Sequence, residues 1–225
     1  ALGSTTINAL ADAQLQALST SQVQAVSTSL ATNISTSVLQ KLTTTQAQAL
    51  TSTMVNTFTT GQVQALTTNQ LNAMGSTMVS NLSSTNLRAL SSTQITALTS
   101  TALAGLSSTQ APLLQTAQVR SLSTAQLASL SSQVFGALSS TQIQSLSSTQ
   151  VSGISTTMAA NMGTDQLTAL TTAQLAYLDT ADLQALSSDQ VKALGTDQLA
   201  ALSVGQIQSL ETQDFQALGT TKITA

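Results

Sequence analysis

The chain has 225 residues, a net charge of −3 and only 6% charged residues, against about 25% in an ordinary globular protein. It contains no Cys, His or Trp, one Pro and four aromatics, while about a third of the chain is Ser or Thr and about an eighth is Gln. Zinc, haem and iron–sulfur sites of the usual kind, disulfides and a Ser-His-Asp hydrolase are thereby excluded, so no catalytic residue, metal ligand or cofactor is expected and the chain reads as a non-enzyme.

The five basic residues, Lys41, Arg88, Arg120, Lys192 and Lys222, are too few and too dispersed to neutralise a phosphate backbone, so nucleic acid is not an expected partner. No run of apolar residues approaches the length of a membrane span. Ala1 opens no secretory n-region and no initiator Met is present, which reads as a processed chain or a fragment.

From Leu2 onward the sequence is a single continuous array of 28 octads over residues 2–225, without insertion or deletion. Octad n begins at residue 8n−6. Position one is a large apolar residue throughout, as at Leu10, Leu18, Val26, Ile34, Phe58, Met74, Leu146 and Leu218. Position six is apolar throughout, as at Ile7, Leu15, Val63, Ile143 and Ile223, with Ala at 31, 47, 111 and 159. Position two is Ser or Thr in 19 octads and Gly in five, position three is Ser or Thr in 26, and position five is Gln in 16. Position eight is mostly Ala or Ser.

An uninterrupted α-helix turns about 100° per residue, so an eight-residue stripe would wind around it and could not be covered. A simple strand would put positions one and six on opposite faces. A short helix restarted in every octad fits. Positions one and six become the N′ and N4 residues of a hydrophobic staple, position two the N-cap, and Gln at position five the N3 member of a capping box. The tract Leu146-Ser147-Ser148-Thr149-Gln150-Val151 carries all of these. Helices of about six residues are not stable alone, so they must stack, and the expected fold is an all-α solenoid, a superhelical coil with one short helix per 8-residue repeat; a β-solenoid is the alternative. Position three is more strictly hydroxylated than N1 requires. Either it is the true cap or its hydroxyl bonds a neighbouring turn, and a hydroxyl ladder between turns is the favoured reading.

A second period, of three octads, overlies the first. Position five departs from Gln at Leu30, Met54, Met78 and Ala102, and again at Val134, Met158 and Asp182, each three octads from the last. Three octads per turn explain this spacing, with duplication of a three-octad unit as the alternative. The exceptional octads tend to end on Asn or Gly (Asn33, Asn81, Gly105, Asn161), which suggests left-handed helix caps at one corner. Val38 breaks the scheme. The interval between Ala102 and Val134 is one octad too long and contains Pro112, so residues 102–134 are expected to be locally irregular. Nine or so turns at about 8–10 Å would make a rod on the order of 80–90 Å long, with Leu, Ile, Val and Ala inside and Ser, Thr and Gln outside.

Seven of the eight acids lie between Asp165 and Asp214. Asp165 and Asp189 would stack and so suggest calcium, but with Asp197 they occupy position four, in the first helical turn, where a negative charge suits the dipole. Asp182 and Asp214 replace the capping Gln, and Asp179 and Glu211 take the cap position. No EF-hand or nonapeptide calcium motif is present. Sequons stand at Asn33 and Asn81. Met54, Met78 and Met158 read as core rather than as a seam for a partner chain.

The segments Leu122 to Leu127, Leu170 to Leu175 and Leu186 to Val191 resemble the LTTxQ/LSTxQ short-repeat tracts of very large bacterial surface and secreted proteins, of the giant-adhesin, filament or biofilm-matrix type. The resemblance covers the whole chain. It implies an extended structure at the cell surface and brings no active site with it. The first and last octads keep full register and lack a polar capping repeat, so the expected partner is the chain itself, end to end or laterally, or further repeats of the same chain. A binding module presenting Ser, Thr and Gln to polysaccharide, ice or another cell is the alternative.

Overall fold

The computed structural model describes residues 3–26 and 28–223. Leu2 and Ala225, the two ends of the octad register, lie outside the described residues, as does Ser27, the expected cap of octad 4. The chain forms two compact units, Ala1–Leu114 and Gln115–Ala225. Both are helical throughout, with no strand among the described residues, and nearly every octad carries one helix, most often of four to six residues. The structure is the helical solenoid that the octads imply, and the β-solenoid alternative falls.

One octad shows how so short a helix closes. In Leu138–Ser145 the N–H of Ile143 donates to the Ser139 carbonyl at 3.0 Å, Ser145 N–H donates to Thr141 at 3.1 Å, and Leu146 N–H closes the end on Ile143 at 3.1 Å. The Ser139 hydroxyl accepts from Gln142 N–H at 3.3 Å, and the Gln142 Oε1 accepts from Ser139 N–H at 2.7 Å, completing the capping box. The Ser145 hydroxyl at position eight donates to the Gln142 carbonyl at 2.7 Å, adding a side-chain bond to the backbone bond that Ser145 N–H makes to it at 3.1 Å. Position two is thus the cap, and position three is N1.

Helices pack on the helix three octads away. In the first unit Asp12–Gln16, Thr36–Lys41, Thr60–Ala65 and Ser84–Ala89 form one stack. In the second, Ser140–Gln144, Thr164–Ala169 and Ser188–Ala193 form another. Each turn therefore takes three octads. Positions one and six line the interior: Leu39, Phe135, Ile143, Leu167 and Leu183 are fully buried, as is the Ala at 31, 47, 111 and 159. Burying a Leu or Ile contributes about 1.5–3 kcal/mol, and this is what holds helices too short to stand alone. Met54, Met78 and Met158 are buried core. Except for Val38, in Thr36–Lys41, the octads with an apolar position five pack on one another within each unit: Thr28–Ala31 lies on Ser52–Val55, and Ser132–Gly136 on Thr156–Ala160, which in turn lies on Thr180–Gln184 with Asp182.

Three expectations need correction. Left-handed caps do not occur at Asn33, Asn81, Gly105 or Asn161; among the described residues positive φ is confined to Gly75 and Gly219. The ordinary corner needs none, because position one is already extended (Leu66, φ −61°, ψ 129°) and leads straight into the next cap. Asn81 and Asn161 instead donate their side-chain N–H groups to the Thr77 and Thr157 carbonyls, at 2.7 and 2.8 Å. Gly105 answers to space: a Cβ there would lie 2.2 Å from the Ser76 carbonyl oxygen. Gly75 has φ 71°, ψ −170°, a region nearly closed to other residues, and makes a kinked corner inside Thr68–Asn81.

The second correction concerns Gln. At position five it is interior, not surface: Gln46, Gln70 and Gln142 are each 2% exposed. Third, the hydroxyl ladder at position three is sparse, with Ser140 donating to the Asp165 carbonyl and Ser188 to the Asp214 carboxylate. The ladder between turns exists, but Gln carries it. At Pro112 the octad holds only a 3-10 turn, Ala111–Leu113, because Pro has no N–H for the bond to position three that completes an α-turn elsewhere.

Candidate functional site

The distinctive chemistry is a column of buried side-chain amides that use both their ends. A buried position-five Gln gives its Oε1 to the N–H of its own N-cap and its Nε2 to two carbonyls of the turn beneath, those of a position six and of the position one that follows it. Gln62 accepts from Thr59 N–H at 2.8 Å and donates to Ile34 at 2.7 Å and Ala31 at 2.8 Å. Gln70 does the same with Thr67, Leu42 and Leu39. In the second unit Gln150 joins Ser147 N–H to the Leu122 and Val119 carbonyls, and Gln206 joins Ser203 N–H to those of Leu178 and Leu175. A helix of four to six residues leaves most of its end groups unpaired. One amide, with two donors and an acceptor, pairs the orphan N-cap N–H above with a position-one and a position-six carbonyl below.

Substitutions at this position obey the same chemistry. Asn86 still donates to the Val55 carbonyl but is one methylene too short to reach its own cap. Lys222 donates Nζ to the Lys192 and Leu194 carbonyls. Asp182 and Asp214, both buried, keep only the accepting half: Asp182 takes Asp179 N–H at 3.4 Å and Asp214 takes Glu211 N–H at 2.9 Å. Burial, then the neighbouring Asp179 carboxylate, pushes Asp182 up to about 6.

A second connector appears where Gln is missing. Asn8, Asn56 and Asn72 at position seven donate Nδ2 to the carbonyls of Asn33, Asn81 and Ala97, each at 2.8 Å. Their Oδ1 atoms accept from the N-cap N–H groups of Ser35, Ser83 and Thr99, at 2.9, 2.8 and 2.8 Å. Those three caps belong to the octads whose position five is Val38, Asn86 and Ala102. The three Asn at position seven are the only ones there, and each supplies a cap that lacks its Gln. Sequence reasoning found the capping box and missed both connectors. Two signals were readable. One was the absence of Glu at position five, although Glu closes a capping box equally well. The other was a constant register from each such Asn to a position five without Gln: Asn8 to Val38, Asn56 to Asn86, Asn72 to Ala102.

The remaining candidates disperse over the surface. Asp165, Asp189 and Asp197 sit exposed in first helical turns, and no group of three or more acids placed to hold a metal occurs among the described residues. Asn33 and Asn81 are exposed, while the Ser35 and Ser83 hydroxyls of their sequons act as N-caps. Asp12 and Lys41 form an exposed ion pair at 2.6 Å. Tyr177, Val204 and Ile207 are exposed apolar residues. Near the C-terminal end a cavity of about 230 Å³ is lined by Leu199, Leu202, Ile207, Leu210, Phe215 and Leu218. No helix is long and apolar enough to cross a membrane among the described residues.

With this geometry established, comparison with known proteins supports a short Thr-, Ala- and Gln-rich repeat. Residues 175–212 match the family model of the ALTTAQ repeat. The matched segment contains Gln190, Gln198 and Gln206, three working members of the amide ladder. The ALTTAQ repeat is thus a short Thr-, Ala- and Gln-rich unit of the same kind as the octad. No curated protein matches the chain.

Proposed function

We propose that this structural repeat protein serves outside the cell as a filament, stalk or spacer of a surface assembly, built by end-to-end stacking of its turns, and that it performs no catalysis. One observation carries the reading. Within each unit the amide ladder lets one turn cap the turn below and offer the same carbonyls to a turn above, so the repeat carries no stopping signal of its own. The constant length of the octads adds to this, since no insertion interrupts the register and positions one and six stay apolar throughout. The resemblance to tracts of large bacterial surface proteins supports the location.

Electron microscopy of the purified protein across a concentration series tests the function. Uniform fibres that lengthen with concentration are expected. Single particles of fixed size at every concentration would remove stacking from the account. A second reading, a module presenting hydroxyls to polysaccharide or ice, draws on the exposed Thr36, Thr44, Thr60, Ser84 and Ser92 at helix starts of the first unit. Retention on immobilised polysaccharide, lost when such residues become Ala, would favour it.

A further inference from the structure

We infer that Asp182 is a proton-operated rung of the ladder. Protonated, its carboxyl donates to the Val151 carbonyl of the turn beneath and holds the helix Thr180–Gln184 down. Ionised, it releases that helix while the rest of the second unit stays closed. The inference concerns one turn inside the unit and does not depend on stacking between chains.

Position assigns the partner. The buried position-five amides on either side of Asp182 reach carbonyls 31 and 28 residues back: Gln174 those of Ile143 and Leu146, and Gln190 those of Ala159 and Met162. The same register sets Asp182 over Val151 and Ile154. A side chain of its length covers the distance, since Asn86 donates to the Val55 carbonyl, 31 residues back. Asp182 is 2% exposed. An ionised carboxyl so placed has no proton to give and sets an anion beside carbonyl oxygens, whereas a protonated one supplies the missing donor. It is also the one polar position-five residue among the stacked helices Ser132–Gly136, Thr156–Ala160 and Thr180–Gln184, the others being Val134 and Met158.

Asp214 shows the contrast. Equally buried, its carboxylate accepts from Glu211 N–H and from the Ser188 hydroxyl, both at 2.9 Å, so its ionised form is provided for. Among the described residues the Asp182 carboxyl has a single donor, Asp179 N–H at 3.4 Å. The Asp179 carboxylate lies against it, accepting from Asp182 N–H at 2.7 Å. The helices packed on Thr180–Gln184, Thr156–Ala160 below and Val204–Ser209 above, carry no ionisable side chain, and by register Asp214 stands over Leu183 and Leu186. The charges that face Asp182 are therefore acids alone. Burial first, and Asp179 second, push its pKa up to about 6. A carboxyl raised on folding stabilises in full below its ordinary 3.8, and the contribution is lost as pH climbs through about 6.

Residue-resolved hydrogen exchange of the full chain at pH 5 and pH 7.5, corrected for the intrinsic rate, tests the rung. Protection of the Leu183, Ala185 and Leu186 N–H groups is expected to fall about 10-fold across that range, as loss of the Asp182 proton implies. The Ile143 and Leu167 N–H groups are expected to keep theirs. Asp182→Asn has a donor at every pH and Asp182→Leu has none, so both are expected to lose the pH dependence. Asp179→Asn retains the cap while removing the neighbouring charge, and is expected to move the fall to lower pH. An equal fall in Asp182→Asn, a fall shared by Ile143 and Leu167, or constant protection in the unaltered chain would overturn the inference.

Discussion

At position five a single side chain must accept from an N–H of its own helix and donate to carbonyls of the turn beneath. Gln does both, Lys222 only donates, and Asp182 only accepts. The accepting half was legible in the sequence, because the N-cap and N3 lie three residues apart. The donating half was not, since its partners are remote in sequence, as Leu39 and Leu42 are from Gln70, and meet it only once three octads close a turn. Asp182 shows the cost of a carboxylate there. Its pKa is raised from 3.8 to about 6 by burial first and by Asp179 second. A carboxyl raised on folding binds its proton more tightly when folded, so its contribution is fully present below about pH 4 and is lost as pH climbs through about 6. Asp182→Asn is expected to gain stability over the unaltered chain between pH 4 and pH 7, by up to about 3 kcal/mol. Urea midpoints of the two proteins at both pH values check this, and an equal difference at pH 4 and pH 7 would contradict it.

Helix by helix, the boundaries were readable because staple, cap and capping box recur in fixed places, and the β-solenoid alternative foundered on the same signals. Helix ends were less readable. Asn33, Asn81 and Asn161 suggested left-handed caps, whereas extended position-one residues turn the corner and Asn81 and Asn161 bond back by side chain. The exchange of capping duty between elements makes a sharp prediction. Asn56→Ala leaves the Ser83 N–H without its acceptor and is expected to cost about 1–2 kcal/mol. Adding Asn86→Gln supplies an N3 amide to the same N–H and is expected to restore most of that loss. Denaturation of the single and double variants decides it; equal stabilities for N56A and N56A/N86Q would refute the exchange.

Across the whole molecule, three octads per turn could be read from Leu30, Met54, Met78 and Ala102 because they fall in one stack, where an apolar residue replaces an amide without disturbing its neighbours in the other two. What the pattern concealed was that the polar and apolar interiors are one construction, with Leu and Ile excluding water from amides that join turn to turn. Hydrogen exchange of the N-cap amides, resolved by residue, tests this most directly, since an N-cap N–H has no partner within its own helix backbone. Thr59, Thr67, Ser91 and Ser147, held by Gln, and Ser83 and Thr99, held by Asn, are predicted to be protected as strongly as the helix interiors. Thr51, Ser131 and Ser155, whose octads carry Met54, Val134 and Met158 at position five, are predicted to exchange freely. Uniformly fast exchange at all nine N-caps would contradict the account.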